Sequence, residues 1–296
     1  MKLPYILQSF YRFAADHTPE TVKPTLRGLY NMGNKAATYG RTDIFIALDL
    51  EINSRCNLKC SYCPISTESR GDEFMEEALF LKIMEDLSSF PNAGRISPHF
   101  YGEPTIDTRL VHLMRLARKM VPKAELIIHT NGTHLDRALY RDLLSAGVTG
   151  FLVTRHTPKW PKGILDIMTN EPNAAKTMKV RDLEQATLFN RGGTVKPKRP
   201  RTLRSCFYLS DEIAITHNGE VVCTNDFHIT ESFGNVRNSH LLNDIWWGEE
   251  FSNLRKELRS GQFRLPVCKV CSAGVKKTST PELVQIRDHI NPPLPI

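Results

Sequence analysis

The chain lacks any run of about 18 consecutive apolar residues, so neither a spanning helix nor a membrane partner is expected. It also lacks a leader pattern. Met1-Lys2-Leu3-Pro4-Tyr5 runs into Gln8 and Arg12 before an apolar h-region can form, which implies a cytoplasmic protein with reduced thiols. Cysteine is sparse and odd in number, at seven, so complete disulfide pairing is excluded in any compartment. With 41% hydrophobic and 24% charged residues, the composition lacks the skew of a disordered or collagen-like chain. A chain of 296 residues can bury a sizeable core without staples. Excess charge is small, at +7, and one cluster carries much of it. Arg191, Lys196, Lys198, Arg199, Arg201 and Arg204 lie among Gly192, Gly193, Pro197 and Pro200. That mix reads as a solvated loop, with an anionic substrate as the alternative reading. No aromatic residue is interleaved there, so no nucleic-acid partner is expected.

What is present first is alternation. Residues 44–52 begin apolar and then alternate, as a buried strand does near its end. Leu79, Phe80, Ile83, Met84 and Leu87 fall on one helical face. A short strand at 96–100 leads into Tyr101-Gly102-Glu103-Pro104. Leu110, Leu113, Met114 and Ala117 mark a helix that Pro122 stops. Leu126-Ile127-Ile128 closes on Thr130-Asn131-Gly132. Leu135, Leu139 and Leu143 make a further helix, with Gly147 where a left-handed C-terminal residue belongs. Phe151-Leu152-Val153 runs into Arg155. Strand–helix alternation at this spacing implies a parallel sheet with right-handed crossovers. Each unusual cluster follows the C-terminal end of a strand, the edge that carries active sites in such sheets. Further on, Ile213 to Cys223 reads as a hairpin around Asn218-Gly219, and Asn243 to Arg259 as one helix.

The cysteines form two groups, and none occurs between Cys63 and Cys206. Cys56, Cys60 and Cys63 make a CxxxCxxC. Three thiolates on one short loop can hold three irons of a [4Fe–4S] cube and leave the fourth open to an exogenous ligand. Structural zinc wants four closed ligands and usually CxxC pairs. Neither His17 nor His99 has a ligand-like spacing, so the spacing favours the cluster. Cys206, Cys223, Cys268 and Cys271 complete a four-thiolate set, which spacing alone leaves open between zinc and a second cluster.

The CxxxCxxC, the strand before it and Tyr62 directly before its third cysteine resemble the radical SAM superfamily. In that family the open iron chelates S-adenosyl-L-methionine, and one electron releases a 5′-deoxyadenosyl radical. Tyr101-Gly102-Glu103-Pro104 resembles the family's GGEP stretch, with Tyr101 in place of the first glycine. Thr130-Asn131-Gly132 resembles a strand-end segment that contacts the ribose or the methionyl carboxylate. The resemblance therefore implies Tyr62, Gly102, Glu103, Pro104, Thr130 and Asn131 as cofactor contacts. From Cys206 through Asn225-Asp226-Phe227, Gly234-Asn235-Val236, Ile245-Trp246 and Arg255 to Cys271, the chain looks like a SPASM/Twitch extension. No further cysteine exists for a third centre, so the single-cluster form is implied, with a second [4Fe–4S] cluster on Cys206, Cys223, Cys268 and Cys271. The implied fold is α/β, a partial (β/α)6 TIM-like barrel core with a small α+β auxiliary-cluster domain. The implied segments are an N-terminal helical extension at 1–42, the core at 43–200 and the auxiliary domain at 201–296. An external one-electron reductant, flavodoxin- or ferredoxin-like, would complete the system.

The reaction expected is hydrogen abstraction from a small molecule, leading to oxidation of a sugar or aminocyclitol alcohol. A radical epimerase would need a hydrogen donor, usually a thiol, and three plus four ligands use all seven cysteines. A peptide- or protein-modifying maturase is the other alternative, although residues 1–40 are short for a recognition domain. Arg155, at a strand end, is the candidate catalytic residue, since a guanidinium binds carboxylate or alkoxide well. His156 reads as a satisfied strand-end histidine, Trp246 and Trp247 as packing residues, and Asp226 as a supporting or substrate contact.

Overall fold

The computed structural model describes residues 45–89, 94–182, 189–195 and 206–272, with isolated positions between 14 and 30. Apart from those positions, the N-terminal extension expected at 1–42 lies outside the described residues, as do residues 196–204 of the basic loop at 191–204.

The described chain is built on one seven-stranded sheet in the order β5-β4-β3-β2-β1-β6-β7. The strands are β1 (Ala47–Leu50), β2 (Arg95–Ser97), β3 (Glu125–Thr130), β4 (Gly150–Arg155), β5 (Met178–Asp182), β6 (Glu212–Ile215) and β7 (Val221–Val222). β1 to β5 lie side by side in chain order and all pair in parallel. β6 comes from beyond the basic loop, yet pairs in parallel with the far side of β1, Leu48 opposite Ile213. The sheet thus has six parallel strands, five consecutive and one returning. β7 closes the expected hairpin antiparallel to β6, and the left-handed Gly219 (φ 96°) makes its turn.

Four helices cover one face: α1 (Glu77–Ser88), α2 (Leu110–Met120), α3 (Arg137–Ser145) and α4 (Lys162–Asn170). Period-two alternation sends Leu48, Leu50, Ile96 and Ile128 toward them. There they meet Phe80, Ile83, Leu113, Met114 and Leu143 in the main core. Asp49, Arg95, Ser97 and His129 alternate onto the opposite, polar face. The Arg95 guanidinium joins three strands there, with hydrogen bonds of 3.0 Å to Asp49, 3.2 Å to Glu212 and 3.2 Å to His129.

The segment read as one helix from Asn243 to Arg259 is two. A π-helical stretch, Leu241–Trp246, gives way at Gly248 to α5 (Glu249–Arg259). Gly248 breaks the run because it is extended, and a Cβ there would lie 2.3 Å from the Asp244 carbonyl oxygen. A short helix, α6 (Pro266–Val270), follows. Neither α4 nor β5 had been resolved from the sequence pattern. Among the described residues, no helix is long and apolar enough to cross a membrane.

Candidate active site

Every polar cluster singled out in the first half lies at the C-terminal edge of the parallel strands. The loop carrying Cys56, Cys60 and Cys63 leaves β1 and ends in a helical turn at Pro64–Ser66, with the Cys63 amide donating to the Cys60 carbonyl at 2.9 Å. All three cysteines are free and half-buried. Burial pushes the Cys56 and Cys63 thiols above their ordinary range, and the nearby Cys60 adds to it by repulsion.

Gly102 is packed against the entry to this loop. A Cβ at this position would sit 2.3 Å from the Asn53 carbonyl oxygen, so the close approach requires glycine. The next amide, on Glu103, donates to the Arg55 carbonyl at 2.6 Å, and Asn53 Nδ2 donates to the Glu103 carbonyl at 3.2 Å. The Glu103 carboxylate is buried and accepts three hydrogen bonds at Oε1 and one at Oε2. It accepts from the Thr105 amide (3.1 Å), the Thr105 hydroxyl (2.6 Å), the Thr130 hydroxyl (2.6 Å) and the Asn131 amide (2.8 Å). With partners from both segments, this acceptor-only side chain ties the loop after β2 to the end of β3. Pro104 opens the helical turn that follows. Asn131 Nδ2 reaches into the cysteine loop and donates to Asn57 Oδ1 at 2.9 Å. Tyr62 is held from β4: its hydroxyl lies 2.7 Å from His156 Nδ1, and the two rings stack. Tyr62, Gly102, Glu103, Pro104, Thr130 and Asn131 therefore converge around the three cysteines.

Arg155 is placed differently. Its Nε donates to Asp182 at the end of β5 (2.6 Å), and its Nη1 to the carbonyls of Thr157 (3.1 Å) and Pro158 (2.6 Å). Trp160 covers the guanidinium. It braces the ends of β4 and β5.

Two other residues occupy the ground between the cysteine groups. Tyr101 is buried, and its ring packs edge-on against Phe100 and Phe227. Its hydroxyl donates to the Thr224 carbonyl, next to Cys223, at 3.4 Å. Burial drives its pKa up, and Cys63 and Cys223 both lie close enough to add to that electrostatically. The Arg191 guanidinium lies 5.5 Å from the Tyr101 ring centre, and its charge favours the Cys63 thiolate. Its backbone is left-handed (φ 48°), a strained conformation for a residue with a side chain. The sequence pattern reads Arg191 as part of a solvated loop, and an arginine immediately before two glycines is the one signal of its turn.

The second cysteine group lines one pocket. Its wall combines Cys206, Cys223, Cys268 and Cys271 with Tyr208, Leu209, Leu258, Phe263 and Val267. α6 carries Cys268 one turn before Cys271. Asn190 fastens the segment that follows, exchanging hydrogen bonds with Ser272 at 2.9 Å and donating to the Val270 carbonyl at 2.6 Å. Burial, then mutual repulsion, pushes Cys206 up to about 11, Cys268 up to about 12 and Cys223 well above its ordinary range. A metal centre must displace these protons on binding. The donor set fits an iron–sulfur cube. Four thiolates among apolar side chains can each take one iron of such a cube. Asn225 also lines the wall, and its buried side-chain oxygen has no protein partner, as suits a group facing such a centre.

A parallel α/β sheet with a three-cysteine loop at its C-terminal edge and a four-cysteine pocket beside it defines the class, and the chain belongs to the radical SAM superfamily. Residues 50–182 match that superfamily, and residues 206–272 match the family described as an iron–sulfur cluster-binding domain, SPASM. The chain is an enzyme, with S-adenosyl-L-methionine and [4Fe–4S] clusters as its cofactors. It is 34% identical, over 77% of its length and 93% of the relative's, to the S-adenosyl-L-methionine-dependent 2-deoxy-scyllo-inosamine dehydrogenase of Niallia circulans. It is also similar to the crystal structure of BtrN in complex with AdoMet and 2-DOIA, with a TM-score of 0.74 and 32% identity over 79% of this chain and 96% of that one. For BtrN in an open conformation the TM-score is 0.64, at 30% identity over 80% and 96%.

Proposed function

We propose that the chain is a radical SAM dehydrogenase that oxidises a ring alcohol of an aminocyclitol to the ketone. The observation that carries this is the 34% identity to a dehydrogenase of that substrate class across 93% of its length. The cysteine inventory supports it. Seven cysteines divide into a loop of three and a cavity of four, which leaves no thiol to return hydrogen as an epimerase needs.

In this reading Cys56, Cys60 and Cys63 hold the cluster that meets S-adenosyl-L-methionine, and Cys206, Cys223, Cys268 and Cys271 hold the auxiliary cluster. Together these groups would supply a carbon radical able to take the carbinol hydrogen atom and an acceptor for the second electron, while the hydroxyl proton would leave to solvent, so that the alcohol loses two electrons and two protons in all. The chain's own residues position the reactants. Tyr62, held by His156, Gly102, Pro104, Thr130 and Asn131 shape the cofactor end, and Glu103 acts through the loops it ties. Arg191 stands between the two centres beside Tyr101, and it binds the reacting oxygen as charge develops there. Arg155 is the brace that keeps the β4 and β5 ends in place. Functionally, residues 43–200 serve as the core and 201–296 as the auxiliary unit, and a flavodoxin- or ferredoxin-like protein delivers the electron in the cytoplasm.

The test is turnover with 2-deoxy-scyllo-inosamine and related aminocyclitols carrying deuterium on each carbinol carbon in turn. Deuterium in 5′-deoxyadenosine together with a ketone product is expected. Unlabelled 5′-deoxyadenosine and no ketone across that set would sink the reading.

A further inference from the structure

Between the two cysteine groups lies a small second core, separate from the main one. It consists of Ile65, Phe100, Tyr101, Ala214, Val222 and Phe227, with Cys56 and Cys63 packed against it. Arg70, seven residues after Cys63, closes this core from the side. Its guanidinium side chain is 9% exposed and its partner Glu51 is 0% exposed, so this is an interior ion pair. The fork is bidentate, with Nε to Oε1 at 3.0 Å and Nη2 to Oε2 at 2.9 Å. The remaining Nη1 donates to the Phe227 carbonyl at 2.6 Å, four residues past Cys223. The Phe100 and Phe227 rings lie 5.2 and 5.6 Å from the guanidinium carbon. His217 shares Oε2 of Glu51, with its Nδ1 at 3.0 Å and its amide donating at 3.2 Å.

One planar cation thus joins four segments: the end of β1, the loop that carries the first cysteines, the residue before Tyr101, and the loop that carries Cys223. We propose that Arg70 is a positioning residue that sets the spacing between the two cluster-bearing loops, and so the overlap of substrate with both centres. This rests on the reading that both cysteine groups hold clusters. The geometry requires arginine. A lysine has the charge but cannot span a carboxylate fork and a third acceptor in one plane. Main-core contacts hold the sheet and helices without it, so losing Arg70 loosens the spacing and leaves the fold.

The experiment uses reconstituted, reduced holoenzyme and compares wild type with R70K. The magnetic interaction between the two clusters is read by electron paramagnetic resonance, and 5′-deoxyadenosine is counted per ketone formed. R70K is expected to keep its iron and cleave S-adenosyl-L-methionine at the wild-type rate. Its inter-cluster distance distribution should broaden, and ketone per 5′-deoxyadenosine should fall by about tenfold, within the ~10²-fold that a 1 Å misplacement can cost. An unchanged distribution and an unchanged ratio overturn the proposal. If R70K does not fold, the pair E51Q/R70M removes both interior charges together: broadened spacing there supports the proposal, and wild-type spacing overturns it. A wild-type enzyme with a single cluster would overturn the proposal together with the reading beneath it.

Discussion

At the scale of single residues, the seven cysteines divide the chemistry, and the division can be measured. Cys60→Ala should abolish reductive cleavage of S-adenosyl-L-methionine, because an iron of the open cube loses its protein ligand. Cys268→Ala should leave cleavage intact and cut ketone formation; equal loss of cleavage in both variants would contradict separate roles. Arg191 and Arg155 offer a second contrast. Arg191→Ala should lower the turnover rate for ketone by ~10²-fold with cleavage preserved, the usual cost of removing one donor to developing charge. Arg155→Ala should act mainly on stability, since its donors go to Asp182 and to carbonyls of its own loop. The reverse ranking would reassign the substrate contact. Cys56, Cys60 and Cys63 are legible in the sequence because their spacing defines a chelating loop, whereas spacing leaves the metal of the other four open. Arg191 is not legible, because its position depends on a left-handed turn that carries it to Tyr101.

At the scale of elements, the loops at the strand ends are held by few contacts of high consequence. Gly102→Ala forces a methyl group to 2.3 Å from the Asn53 carbonyl oxygen. Overpacking of this kind costs ~1–3 kcal/mol, or about 2–4 °C of melting temperature per kcal/mol in a domain of this size. A melting curve identical to wild type would show that the loop yields. The buried Glu51 makes these loops sensitive to acid. Burial pushes its pKa up, but the hydrogen bonds from His217 and Arg70 and the charge of Arg70 outweigh it and leave the folded value below the ordinary 4.5. A carboxylate lowered on folding contributes stability above its unfolded value and loses it as pH falls through the folded one. Thermal stability should therefore drop below about pH 4.5, and Glu51→Gln should flatten that drop. The helices α1 to α3 and the hairpin at Gly219 were readable because period and turn chemistry are local. Gly248 hid the break before α5, since its constraint is contact with Asp244, which periodicity does not register.

At the scale of the whole molecule, the sequence divides more sharply than the structure. The Gly/Pro/Lys/Arg loop looks like a boundary, yet β6 crosses it to pair with β1, and Arg95 ties Asp49 to Glu212 across the same junction. Residues 1–200 expressed alone should accordingly be insoluble or molten, because β1 would present an unpaired apolar edge. A soluble fragment with a cooperative melt would refute this. Intact protein reconstituted without oxygen should carry about eight irons, two cubes of four; a value near four with bound zinc would remove the auxiliary cluster. The return of β6 also has a consequence in time. β1 ends at Leu50 and β6 begins at Glu212, so during synthesis at ~5–20 residues per second β1 waits ~10–30 s for its second neighbour. The ribosome has delivered Cys56, Cys60 and Cys63 long before Cys206 appears, with one flank of their supporting strand still bare. Nascent chains are thus at their most aggregation-prone, and their first three thiols most open to oxidation, in the interval before the last third of the protein emerges.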